Sequence, residues 1–119
     1  MDDSLIASRN HVVRTLHQGE KRPEPVLVGD KPWEGPIIAM PVVLYSQERD
    51  LFQMWYMQGF YAPPEPRYLC YAESKDGIHW EKPNLGLVEY NGLKDNNIIW
   101  SRRIHQGWIM LDTHEKDPA

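Results

Sequence analysis

The stretch LFQMWYMQ, residues 51–58, decides how the chain is read. In an extended backbone successive side chains point to opposite faces. Phe52, Met54 and Tyr56 therefore share one side, and Leu51, Trp55 and Met57 share the other. Both sides are bulky and apolar. A sheet with one solvated face alternates apolar and polar residues, so this strand calls for cover on both faces. The stretches on either side read the same way. PIIAMPVVLYS (36–46) and RYLCYAES (67–74) are rich in aliphatic and aromatic residues, and QERD (47–50) and GFYAPPEP (59–66) separate them with turn and loop chemistry. Three antiparallel strands are the economical reading. Pro41, in the middle of the first, cannot donate a ladder hydrogen bond, which confines that strand to a sheet edge or a bulge.

An edge strand that is apolar on both sides fits a β-propeller, where four-stranded sheets stack face to face and the innermost strand of each borders a central channel. SKDGIHWEKPNLGLVEYNG (74–92) extends the pattern. Asp76-Gly77 predicts a hairpin into a short fourth strand at Trp80-Glu81-Lys82, with Trp80 filling the gap between sheets. Asn91-Gly92 then turns the chain toward a next sheet. The expected fold class is all-β: antiparallel propeller-like blades, as a fragment of a larger propeller. Residues 1–35 form an N-terminal extension and proline-rich loop, 36–95 a first blade, and 96–119, with NNIIW and HQGWIMLD, the start of a second. One blade alone leaves two apolar faces open, so the reading expects a longer parent or chains that cover one another.

The flanks say less. Within 4–18, Leu5, Val12 and Leu16 have helical spacing while Val12-Val13 suits an extended segment, and the two readings stand side by side. Residues 20–36 hold Pro23, Pro25, Pro32 and Pro36 with Gly29 and Gly35, which reads as an ordered loop anchored by Trp33. Thirteen basic against seventeen acidic residues have the wrong sign for neutralising phosphates, so no nucleic-acid partner is expected. No apolar run spans a membrane and no export signal opens the chain, leaving the cytoplasm as the default location. Cys70 is the lone cysteine, inside an apolar run, and reads as a buried inert thiol.

The segments KRPEPVLVGDKPWEG (21–35), VVLYSQERDLFQMWY (42–56) and YAESKDGIHWEKPNLGLVEYNGLKDNNII (71–99) together resemble the N-terminal part of the five-bladed propellers described as glycoside hydrolase family 32/43-like. The resemblance covers nearly the whole chain, and 74–99 is its most specific part. It implies a five-bladed fold, a carbohydrate partner and an axial active funnel. Such enzymes place two carboxyl groups across the scissile bond, the first commonly in an Asp-Pro pair on the inner strand of the first blade. Here the best match to that pair is Met40-Pro41. A thioether serves neither as general base nor as the usual nucleophile, which argues against ordinary hydrolysis at this position.

The remaining candidates are few. Asp112 reads either as an auxiliary acid on the second blade or as the turn residue opening DTHEKDP, and Glu34 either as a candidate catalytic carboxyl that also hydrogen-bonds a sugar hydroxyl beside Trp33 or as a solvated carboxylate in a loop plug. Trp33, Glu34 and Tyr61 are the candidate sugar contacts, with Phe60 beside Tyr61. Trp55, Trp80 and Trp100 read as core, and Asp76 as an acceptor within its own turn. His11, His17, His79, His105 and His114 show no metal-ligand spacing, and no phosphate loop or Gly-x-Ser-x-Gly elbow is present, so no metal or cofactor is expected. The functional expectation is part of a carbohydrate-active propeller that does not catalyse by itself. The alternative is a non-catalytic glycan- or protein-binding module on the same scaffold.

Overall fold

The computed structural model describes residues 11, 15, 17–36, 38–58, 67–102 and 109–110. Its centre is one antiparallel sheet of four strands, β1 (Ile38–Ser46), β2 (Leu51–Gln58), β3 (Arg67–Ser74) and β4 (Ile98–Arg102), in the order β1-β2-β3-β4. The first three strands lie where alternation and turn residues predict them. Among the described residues there is no helix, and so none long and apolar enough to cross a membrane.

β1 is an edge strand and it is bulged. The register against β2 runs Ala39 to Met57 and then Val42 to Trp55, so Met40 and Pro41 together stand opposite Tyr56. Two residues facing one is the count of a β-bulge, and it frees Pro41 from the ladder bond it cannot make. Met40 takes φ 51° there, a left-handed conformation that a non-glycine residue adopts at a cost of about 1–2 kcal/mol.

The fourth strand is a correction. Trp80-Glu81-Lys82 was expected to complete the sheet, and the segment containing Ile98 to open another. Instead Glu81 makes a single bridge to Glu73, at 2.9 and 2.8 Å, and β4 pairs with β3 from Arg67–Arg102 to Cys70–Ile98. Pro83, two residues after Glu81, has no N–H to extend the ladder. Ile98, by contrast, is fully buried in the central cluster.

That cluster lies on one face of the sheet: Met54, Tyr56, Cys70, Ala72 and Ile98. Leu27 and Trp33 from the proline-rich segment 20–36, an N-terminal strap, with Trp80, Val88 and Tyr90 from the segment after β3, pack over it. The rings interlock edge to face, Trp33 on Tyr90 at 5.7 Å and Tyr68 on Tyr90 at 5.8 Å. The cover this face requires thus comes from within the chain. Strap closure is tight: a Cβ on Gly29 would lie 2.3 Å from the Gly35 carbonyl oxygen, so only glycine fits. The opposite face carries Val42, Leu44, Trp55 and Leu69 half-buried, and Trp100 is 45% exposed.

Candidate functional site

The strap is fastened to the sheet through Glu34. Its residues form a turn in which the Glu34 amide donates to the Lys31 carbonyl at 2.9 Å, and this aims the side chain inward. Glu34 Oε2 accepts from the amides of Asp30 (3.0 Å) and Lys31 (3.1 Å) and from Lys82 Nζ (2.6 Å); Oε1 accepts from the Tyr56 hydroxyl. The carboxylate has no exposed surface, and the Lys82 side chain is 8% exposed. Lys82 donates further to the Val28 carbonyl at 2.7 Å and to Asp30 Oδ1 at 2.6 Å. An ammonium has three protons, and these acceptors use them all.

The network continues into the core. Asn97 Nδ2 donates to the Tyr56 hydroxyl and to the Tyr71 carbonyl, both at 2.7 Å, while Asn97 Oδ1 accepts from the Trp33 indole N–H at 2.8 Å. Asn96 is its neighbour in role: Nδ2 donates to the Val88 carbonyl at 2.8 Å, and Oδ1 accepts the Ile98 amide at 3.0 Å. Both asparagines are buried. The side-chain polar groups of Glu34, Tyr56, Lys82, Asn96 and Asn97 are thus matched within the network, as burial of polar groups requires.

The electrostatics follow from burial and pairing. The hydrogen bond from Lys82 holds Asp30 below the ordinary carboxylate range. Desolvation, reinforced by the Glu34 hydrogen bond, pushes the Tyr56 hydroxyl far above its usual value. Desolvation, with the Glu34 charge behind it, pushes the Cys70 thiol up to about 12. Cys70 is thus a buried, protonated thiol and no nucleophile.

The turn after β3 is built by Asp76, as an acceptor in its own loop. Its Oδ1 takes the amides of Ile78 and His79, each at 2.8 Å, and the Ser74 hydroxyl at 3.0 Å; Oδ2 meets His79 Nδ1 at 2.6 Å. These bonds, that from the His79 ring foremost, hold Asp76 well below the usual carboxylate range. The Trp80 indole N–H is spent on the Gly77 carbonyl at 3.1 Å. Asn91 and Gly92, with φ of 50° and 81°, make a two-residue turn closed by reciprocal Tyr90–Leu93 bonds at 2.8 and 3.0 Å, the geometry that an Asn-Gly pair favours.

Of the sequence candidates, Trp33 and Glu34 are brought together, but inside. Glu34 is neither a solvated carboxylate nor open to a ligand: it is a buried tie, and Trp33 is half-buried with its N–H committed to Asn97. Tyr61, Phe60 and Asp112 lie outside the described residues. Met40 sits in the β1 bulge, half-buried. Lys82, Tyr56, Asn96 and Asn97 are the residues that sequence reasoning missed. Lys82 is 48 positions from Glu34, and no local spacing announces such a pairing. Among the described residues, no group of three or more His, Cys, Asp or Glu side chains is placed to hold a metal ion. Compared with known proteins, the chain is matched by no family model, no curated protein and no solved structure.

Proposed function

We propose that this chain contributes a blade to a carbohydrate-active β-propeller protein of the glycoside hydrolase family 32/43-like kind, and that it does not cleave glycosides by itself. The observation carrying this reading is the bulged edge strand β1, with Met40-Pro41 as the best match to the Asp-Pro pair of the resembling hydrolases. Glycoside cleavage needs one protonated and one ionised carboxyl group flanking the bond. Met40 offers neither, and the Glu34 carboxylate is spent on Lys82, Tyr56 and two backbone amides.

Supporting the blade itself are the four-stranded antiparallel meander and the second face, where Val42, Leu44, Trp55, Leu69 and Trp100 would meet a like sheet, from another blade or a second chain. The same Met40 favours the alternative, a module that binds glycans or a partner protein without hydrolysis. The deciding assay is release of the chromophore from a panel of aryl glycosides between about pH 4 and 8, the range over which catalytic carboxyl pairs work. No turnover is expected. Turnover that disappears in Glu34→Ala, with the fold verified by circular dichroism, would overturn the non-catalytic reading.

A further inference from the structure

The asparagines among the described residues are Asn84, Asn91, Asn96 and Asn97, and their surroundings differ. Asn96 and Asn97 are buried and hydrogen-bonded through their side chains. Asn84 is exposed, but the residue after it is Leu85, whose amide donates to the Asn96 carbonyl at 2.8 Å. Asn91 is exposed and Gly92 follows it. The two bonds that close this turn run between Tyr90 and Leu93, one from each amide, and leave the Gly92 amide uncommitted. The space beside it is open as well: a Cβ built on Gly92 meets nothing within 4 Å.

An asparagine followed by an unhindered amide condenses on itself. The Gly92 nitrogen attacks Asn91 Cγ: the N–Cγ bond forms, the Cγ–Nδ2 bond breaks, and ammonia leaves with the proton that the amide gives up. Water then opens the five-membered imide. Opening at one carbonyl yields aspartate, and at the other isoaspartate, whose backbone runs through the side-chain carbons. One water enters, one ammonia departs, and nothing is oxidised or reduced. The attack requires the peptide between the two residues to swing its nitrogen onto Cγ. A side chain on the second residue obstructs that approach, and glycine has none.

The two products differ in what they do to the fold. Aspartate tolerates the left-handed conformation that residue 91 holds, at φ 50°, as asparagine does, so it keeps the turn and adds one negative charge. Isoaspartate puts an extra carbon into the backbone of a two-residue turn. Tyr90 and Leu93 then no longer face each other for their reciprocal bonds. The Tyr90 ring packs edge to face with Trp33 and Tyr68, and its hydroxyl donates to the Pro32 carbonyl at 3.0 Å. A lengthened turn therefore disturbs the join between the segment after β3 and the strap. We propose that Asn91 is a site of spontaneous imide formation through the Gly92 amide, and that its isoaspartate product unfastens Tyr90 from the strap.

The test is incubation of the full chain at neutral pH and body temperature, sampled over weeks. Tryptic peptides are sequenced by mass spectrometry, and isoaspartate is scored with a protein isoaspartate methyltransferase. Asn91 should convert at least about tenfold faster than Asn84, Asn96 or Asn97, and to both products. Gly92→Ala, whose Cβ enters open space, should slow conversion at position 91 by about tenfold. The comparison with Asn84 is made inside the native chain and needs no variant. The isoaspartate fraction should unfold at lower urea than fresh protein and exchange the Trp33 indole proton faster, whereas Asn91→Asp should match fresh protein in both. Conversion at Asn91 no faster than at Asn84, or undiminished in Gly92→Ala, would overturn the site. An isoaspartate fraction that unfolds and exchanges like fresh protein would overturn the unfastening.

Discussion

Lys82 ties the segment after β3 to the strap through Val28, Asp30 and Glu34. Its ammonium is the only cation bonded to the Glu34 carboxylate among the described residues, and removing it strands a negative charge with no exposed surface. Breaking one partner of a buried pair costs about 3–5 kcal/mol, whereas removing both charges together is far cheaper. Lys82→Met should therefore lose about that much in urea unfolding, and adding Glu34→Gln should recover most of it. A loss under about 1 kcal/mol for the single variant would show that the strap is held by its apolar contacts instead. Cys70 gives a pH signature at the same scale. Its thiol titrates near 9 when unfolded and at about 12 when folded. Between those values the native state holds a proton that the unfolded chain has released, so stability falls as pH rises from about 9 toward 12. Cys70→Ala should flatten that decline. In the native protein at about pH 8 the thiol should also resist a disulfide reagent until denaturant is added.

The elements depend on where their partners lie. The segment after β3 does not run on as a strand; one bridge at Glu81 is followed by Pro83, and Trp80 folds over the sheet to join Leu27, Trp33, Val88 and Tyr90. Its ring thus works as a cover rather than a ladder member. Trp80→Ala should cost about 3 kcal/mol, the low end for a large aromatic because the ring is only half-buried. A loss under about 1 kcal/mol by urea unfolding would mean that the strap and the Tyr90 turn cover the sheet without it. β1 is the element under strain, with Met40 in a left-handed conformation directly before Pro41. The bulge relieves the proline by giving up one ladder pairing, which is how an edge strand tolerates it.

For the whole molecule, the strand order places β2 and β3 inside the sheet with partners on both sides, while β1 lies at an edge. Local opening is easiest where backbone bonds are few and exposed. Hydrogen exchange should therefore be slowest for the amides of Met54–Met57 and Cys70–Ala72 and faster along Met40–Leu44. Uniform protection across β1, β2 and β3 would imply a further strand paired to β1. The two faces also differ in state. One is roofed by the strap and the Trp80–Tyr90 segment; the other presents Val42, Leu44, Trp55, Leu69 and Trp100 with partial cover.

What the sequence determined by itself was local. Apolar and aromatic runs bounded by QERD and GFYAPPEP located β2 and β3, and a period of two then assigned the residues of β2 to their faces. Pro41 foretold the bulged edge because a missing N–H cannot be supplied by context, and Asp76 and Asn91-Gly92 declared their turns because each contains its own hydrogen-bonding partners or tolerates positive φ. Tertiary structure decided everything that required distant partners. It chose Ile98–Arg102 over residues 80–82 as the fourth strand, since a buried isoleucine gains more against the cluster than a proline-ended segment can. It also turned Glu34 from an exposed-looking loop acid into the tie of the core. A carboxylate's burial depends on the cation that meets it, and that cation comes from 48 residues away.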